Sequence, residues 1–265
     1  MANMMILFIV ALSALTGDET VGQPVESQRE STLSVDDRII ARWTNNKYYD
    51  GKIESVSEEN QTIGILFDDG DRIAHPLDEV TAVFLDKKPE LVKYKDHVIA
   101  PWQGSYRQYI GYVVDISMFG EVKIRFDHND EAWYKTDEIR ILPDASSPHE
   151  VGARVFARWT NGLFYRGFVS KSTLSTVAIN YDDGDKITLP TNDNSAVILD
   201  KIPHEDEVNA EQKVIGYWPG RVRYYPGYIS GPCNDGKKFY LRFDDGDERC
   251  EWIYEIRTIP KNILS

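Results

Sequence analysis

The heptapeptide ILFDDGD (65–71) recurs as INYDDGD (179–185) and LRFDDGD (241–247). An aromatic residue, two aspartates, a glycine and a third aspartate, placed after a short apolar run, read as the turn of a β-hairpin. Asp and Gly both accept the positive φ that such turns demand. The motif predicts a two-residue loop of the type I′ kind at Asp69-Gly70, and it predicts a chain assembled from repeated β units.

The repeats extend well beyond the turn. ARWTNNKYYDGKI (41–53) matches ARWTNGLFYRGFV (157–169), and APWQGSYRQYIGYV (100–113) matches GYWPGRVRYYPGYI (216–229). Each copy sets a tryptophan (Trp43, Trp102, Trp159, Trp218) six or seven residues before a tyrosine (Tyr49, Tyr109, Tyr165, Tyr225), with glycine two residues further on. An aromatic-acidic turn follows, opened by Phe67, Phe126, Tyr181 or Phe243. The first and third copies close on FLDKKP (84–89) and ILDKIP (198–203), the second and fourth on DEIRILP (137–143) and YEIRTIP (254–260). Trp43 to Trp159 and Trp102 to Trp218 are both 116 positions, so a two-copy unit has been duplicated once. Polar linkers place the four copies at 35–89, 90–144, 151–203 and 211–264.

Within a copy, runs such as DRIIARW, KYYDGKIESV and TIGILFD are rich in Ile, Val, Tyr and Phe and are punctuated by Gly, Asn and Asp. They predict an all-β chain of four small five-stranded barrels. A barrel of about 55 residues buries too little surface to be secure alone, so the copies are expected to pack as two tandem pairs.

The pattern V-x-A-x-W…Y-x-G…F-D-D-G, seen here as IIARWTNNKYYDG…ILFDDG and VFARWTNGLFYRG…INYDDG, resembles the Tudor-like (SH3-like) barrels, and especially the tandem Tudor domains of chromatin readers. The resemblance spans residues 34–264. It implies an aromatic cage for methyl-lysine or methyl-arginine formed by Trp43, Tyr49, Phe67 and Asp69 in the first copy. The matching positions are Trp159, Tyr165, Tyr181 and Asp183 in the third copy, and Trp218, Tyr225, Phe243 and Asp245 in the fourth. The chemistry is independent of the family: a methylated ammonium keeps its charge, sheds water easily and is attracted to ring faces, and a carboxylate at the rim adds complementary charge. Many cage-bearing relatives place another aromatic after the turn glycine. Here Asp71, Asp185 and Asp247 stand instead, one wall fewer and one negative charge more. The second turn is FDHND (126–130), with His128 at the place of the rim carboxylate, so that copy is expected to be structural despite Trp102 and Tyr109.

A net charge of −13 argues against broad nucleic-acid binding, which needs cationic surface, and favours cationic partners or solubility. The aspartate clusters do not reproduce the alternating ligand spacing of a calcium loop. His75, His97, His128, His149 and His204 are scattered without zinc spacing. No nucleophile elbow, P-loop or dinucleotide fingerprint occurs. The chain is therefore expected to be a non-enzymatic binding protein without cofactor or metal, whose partner is a protein or peptide carrying cationic or methylated side chains. The alternative is a secreted structural or effector protein whose repeats make protein or glycan contacts without methyl recognition. The run MMILFIVALSAL (4–15) is too short to span a bilayer but has the length of a secretory signal core. It predicts a signal peptide at 1–17, a disordered leader at 18–34, no transmembrane segment in the mature chain and a secreted location, whereas chromatin readers are nuclear. Asn60-Gln61-Thr62 is a glycosylation acceptor triplet. Cys233 and Cys250, the only cysteines, serve either as one disulfide or as two buried thiols.

Overall fold

The computed structural model describes residues 33–260 except 78, 80, 81, 103, 104, 220–222 and 235. The expected signal peptide, and the leader up to residue 32, lie outside the described residues. The first copy forms β1 (Arg38–Arg42), β2 (Tyr48–Ser57), β3 (Thr62–Phe67), β4 (Arg72–Pro76) and β5 (Val83–Leu85). The second forms β6 (His97–Pro101), β7 (Arg107–Ile116), β8 (Val122–Phe126), β9 (Glu131–Tyr134) and β10 (Arg140–Ile141). The third forms β11 (Arg154–Arg158), β12 (Phe164–Ser172), β13 (Thr176–Tyr181), β14 (Lys186–Pro190) and β15 (Val197–Leu199). The fourth forms β16 (Lys213–Tyr217), β17 (Tyr224–Pro232), β18 (Lys238–Phe243), β19 (Glu248–Trp252) and β20 (Ile256–Thr258). Among the described residues no helix is long and apolar enough to cross a membrane.

The all-β expectation holds; closed barrels are not seen. In each copy the second strand pairs with the first and third, the third with the fourth, and the first also with the fifth. Among the described residues the fourth strand has no second partner, so each copy is an open five-stranded antiparallel arc. The arcs join two by two. Tyr48 pairs with Gln108 and Tyr49 with Arg107 between β2 and β7, and Phe164 pairs with Tyr224 between β12 and β17. Two ten-stranded sheets result.

The repeated turn differs from the two-residue loop expected. The Phe67 carbonyl accepts the Gly70 N–H and the Phe67 N–H donates to the Asp71 carbonyl, enclosing a three-residue loop, 68–70. Only its last residue needs positive φ: Gly70 at 94°, Gly184 at 98°, Gly246 at 95°, and Asn129 at 73° in the second copy. Asp69 is thereby free to keep an ordinary backbone, and its Oδ1 accepts the Asp71 N–H. The other repeated glycine has a different cause. A Cβ on Gly51, Gly111, Gly167 or Gly227 would lie 2.5–2.8 Å from a carbonyl oxygen of the third strand. A register shift follows three residues later in every second strand, bending it over the core.

Alternation along the first strands feeds two kinds of core. Ile39 and Ala41 point into the first copy's own core, while Ile40 points the other way, against Tyr48, Ile99, Ile110 and Leu142 of the pair. The second pair repeats this with Phe156, Phe164, Ile215 and Tyr224. The two pairs also share side chains: Phe168 enters the first pair's central cluster and Tyr112 the core of the fourth copy.

Between the pairs lies a buried ionic hub. Asp200, whose side chain is 0% exposed, accepts from Arg257 Nε at 2.7 Å and Arg166 Nε at 3.1 Å, with Arg154 Nε at 3.9 Å and His97 Nε2 at 3.7 Å. Arg154 and Arg166 also reach Asp127 of the second copy. Burial opposes ionisation of Asp200, but Arg257 and Arg166 beside it hold the carboxyl well below the usual range. Cys233 and Cys250 form a disulfide across the fourth copy, with 6.2 Å between their Cα atoms. Asn60 is exposed in the turn between β2 and β3.

Removing a partner from a buried charge cluster strands the remaining charges. Asp200→Asn should therefore lower the unfolding free energy by about 3–5 kcal/mol in urea denaturation. Asp68→Asn, which breaks an exposed pair with Arg38, should cost under about 1 kcal/mol. Equal costs at the two positions would contradict the hub's role.

Candidate functional site

Each copy gathers the aromatic residues singled out in its sequence at one end of the arc. The tryptophan follows the first strand, the tyrosine lies on the second, and the phenylalanine (or Tyr181) ends the third. The spacing is nearly constant. Trp43, Trp102, Trp159 and Trp218 lie 5.3–5.4 Å from Phe67, Phe126, Tyr181 and Phe243 respectively, with ring planes 77–90° apart. Tyr49, Tyr109, Tyr165 and Tyr225 lie 6.2–6.5 Å from the same rings, again nearly perpendicular. The third-strand ring is buried and the other two are half-buried. Each cleft thus has a closed floor and two walls that reach solvent.

The four clefts then diverge. In the first and third, Trp and Tyr make no ring contact with each other among the described residues. The Asn45 and Asn161 amides each donate to the tyrosine hydroxyl at 2.9 Å, fixing that wall. In the fourth, Trp218 and Tyr225 approach to 6.2 Å, which narrows the opening, and the Arg249 guanidinium lies 5.8 Å from the Trp218 ring. In the second, His128 fills the cleft. Its imidazole stacks on Phe126 (5.5 Å, 16°) and meets Trp102 at 5.2 Å and Tyr109 at 5.1 Å. Burial holds His128 below its ordinary pKa, against the pull of Asp130 and Asp127, which favours the neutral ring.

His128 also shows which way the middle loop position faces. Its counterparts Asp69, Asp183 and Asp245 are exposed and shorter, and each gives one oxygen to the backbone N–H two residues on, at 3.0–3.1 Å. Their turn role and a rim role coexist, since the second oxygen stays available. In the third cleft the floor is Tyr181, whose buried hydroxyl finds no hydrogen-bond partner among the described residues. Burial and the nearby Asp183 and Tyr165 raise its pKa, so it stays a neutral donor.

Two sets of residues at these clefts were not picked out from the sequence. Asn45 and Asn161 are the shared N of WTN. Arg107 and Arg223, two residues before the cleft tyrosine in both even copies, come from one copy and serve its neighbour. Arg107 pairs across β2–β7 with Tyr49, and the Tyr109 and Tyr49 hydroxyls beside it raise its pKa. Arg223 lies with its Cζ 5.9 Å from the Tyr165 ring. The clue was their recurrence 116 positions apart. A cavity of about 980 Å³ lies away from the clefts, bordered by Phe84, Leu91, Leu142 and Phe168.

No family model matches the chain, and no curated protein matches it. Among solved structures, the chain is matched to the crystal structure of the four MBT repeats of Drosophila melanogaster Sfmbt in complex with the peptide RHR (me)K VLR. The match has 8% identity, covers 86% of this chain and 88% of that one, and has a TM-score of 0.18. At that score the likeness carries no argument about this chain.

The fourth cleft makes stability depend on pH. Arg249 pairs with Glu251, whose carboxyl is fully buried and adjoins Glu255. Burial, then Glu255, push Glu251 up to about 9, against the pull of Arg249. The unfolded chain releases this proton near the ordinary value of 4.5 and the folded chain retains it, so stability declines as pH rises through that window. Glu251→Gln should gain on wild type in thermal denaturation as pH rises from about 5 to about 9. A constant difference would contradict the assignment.

Proposed function

We propose that the protein is a non-enzymatic binding protein that takes a methylated or quaternary ammonium group of a partner into the clefts of the first and third copies. The observation that carries this reading is that Trp43 and Tyr49, like Trp159 and Tyr165, each meet one buried floor ring nearly at right angles and make no ring contact with each other among the described residues. Two walls and a floor offer ring faces to a cation, each worth about 0.5–2 kcal/mol. The free oxygen of Asp69 or Asp183 adds charge attraction and accepts any remaining N–H. A single cleft of this kind gives modest affinity, and two engaged together gain by raised local concentration. The likeness of the motifs to Tudor-like readers supports methyl-lysine or methyl-arginine as one cation that the clefts take. His128 withdraws the second copy from this role, and the closer walls of the fourth disfavour a bulky cation.

The Cys233–Cys250 disulfide supports a secreted location over a nuclear one, because such bonds persist in oxidising compartments. A second reading, contact with proteins or glycans without methyl recognition, is favoured by Tyr106, Met118 and Phe119, which are 93%, 90% and 86% exposed on the second copy.

Titration with a trimethyl-lysine peptide and its unmodified counterpart separates the two readings. Wild type should prefer the methylated peptide. Trp43→Ala/Trp159→Ala, with folding checked by circular dichroism, should lose at least about tenfold in affinity, about 1.4 kcal/mol. Trp102→Ala should retain wild-type binding, because its cleft is occupied. No preference in wild type, or unchanged affinity in the double variant, would discard the cleft and leave the second reading.

A further inference from the structure

We infer that the first and third clefts are built for a zwitterion, with a quaternary ammonium between the rings and a phosphate on Arg107 or Arg223, as in a phosphocholine group. The inference rests on the cleft reading above and adds the anionic half of the ligand.

The two arginines are set apart by their surroundings. Among the described residues, every other arginine lies against a carboxyl group, ionised in each case but that of Glu251 beside Arg249. Arg107 and Arg223 have no such neighbour among the described residues, in a chain whose net charge is −13. Both stand at the seam between paired copies, opposite the cleft tyrosine of the neighbouring copy. The β2–β7 register sets Arg107 against Tyr49, and continuing the Phe164–Tyr224 register sets Arg223 against Tyr165. The same register puts Leu163 opposite Tyr225, so the neighbouring copy lends the fourth cleft no charge, and the Arg249 that borders it belongs to the fourth copy itself.

The like charge close to the cleft weakens the hold on a bare ammonium guest without abolishing it. A guest with an anion beside its cation reverses the sign. The guanidinium fork donates two parallel N–H···O bonds to a phosphate. Asp69 or Asp183 lies in the hairpin loop and the arginine on the neighbouring strand, so the cleft has a negative and a positive lip and orients a zwitterion between them. With Arg223 Cζ 5.9 Å from the Tyr165 ring, a phosphate held by the guanidinium borders the ring that faces the ammonium, as suits the short two-carbon spacer of phosphocholine.

The test is calorimetric titration of the full chain with choline, phosphocholine and the trimethyl-lysine peptide, together with co-sedimentation on phosphatidylcholine or phosphatidylglycerol vesicles. Wild type should bind phosphocholine about tenfold tighter than choline. Arg107→Ala/Arg223→Ala should bind the two equally, and Arg107→Lys/Arg223→Lys should restore only part of the difference, because lysine lacks the fork. Sedimentation with phosphatidylcholine vesicles alone would make a lipid headgroup the source, and binding confined to soluble phosphocholine would make it a free metabolite; either supports the inference. Equal affinity of wild type for choline and phosphocholine, a preference that survives the double alanine variant, or a methyl-lysine peptide outcompeting phosphocholine would overturn it and leave the cleft standing. Failure of all three ligands to bind would remove the cleft reading itself.

Discussion

The buried charge cluster in which Arg154 and Arg166 are shared between Asp200 of the second pair and Asp127 of the first ties the two halves of this molecule together. Each pair carries an equivalent contact between the end of its first copy and the end of its second, Asp86 with Arg140 and Asp200 with Arg257. In the first pair this contact is near the surface. In the second it is covered by His97, Tyr112 and Asp127 of the first pair, which convert an ordinary seam into a junction. Charges taken from water persist only when geometry and hydrogen bonding compensate them, so the junction tolerates one arrangement of the pairs and disfavours others. One consequence reaches the clefts. The Asn46 side chain, in the loop after Trp43, lies so close to Gly184 that a Cβ there would be 2.5 Å from its amide nitrogen. The loop of the first cleft therefore touches the turn of the third.

The clefts show how one framework yields different surfaces. All four share the perpendicular rings, because the tryptophan, tyrosine and floor residue are fixed by the first three strands. What varies lies at the edges, chiefly one loop position and one seam position. Histidine at position 128 reaches the rings and occupies them, whereas aspartate folds back onto the turn backbone and leaves the space open. Arginine or leucine at the seam decides whether the neighbouring copy lends a guanidinium to the odd-numbered or the fourth opening. Duplication preserved the box, and substitution at its edges changed what the box can hold.

Much of this was legible in the sequence, and the reasons are local. The DDGD turns, the alternation in TIGILF and the Trp-to-Tyr spacing depend on neighbours a few residues away, and they identified the strands and brought each trio of rings together. The three-residue loop was misjudged because Asp tolerates positive φ but does not require it; only hydrogen bonding from Phe67 to both Gly70 and Asp71 distinguishes the two turns. The open edge between fourth and fifth strands has no signature in composition. The LDK and EIR segments were visible as repeats, yet their ion pairs join residues 54 and 57 positions apart and could not be matched from one sequence. The same limit hid the arginines at the clefts, which act on a tyrosine of another copy.

The most direct test of the account is a crystal structure with trimethyl-lysine bound. The account predicts the ammonium within about 6 Å of the Trp43, Tyr49 and Phe67 ring centroids, and likewise in the third cleft, with the second still filled by His128. A guest seated in the 980 Å³ cavity or on another surface, with both clefts empty, would contradict it.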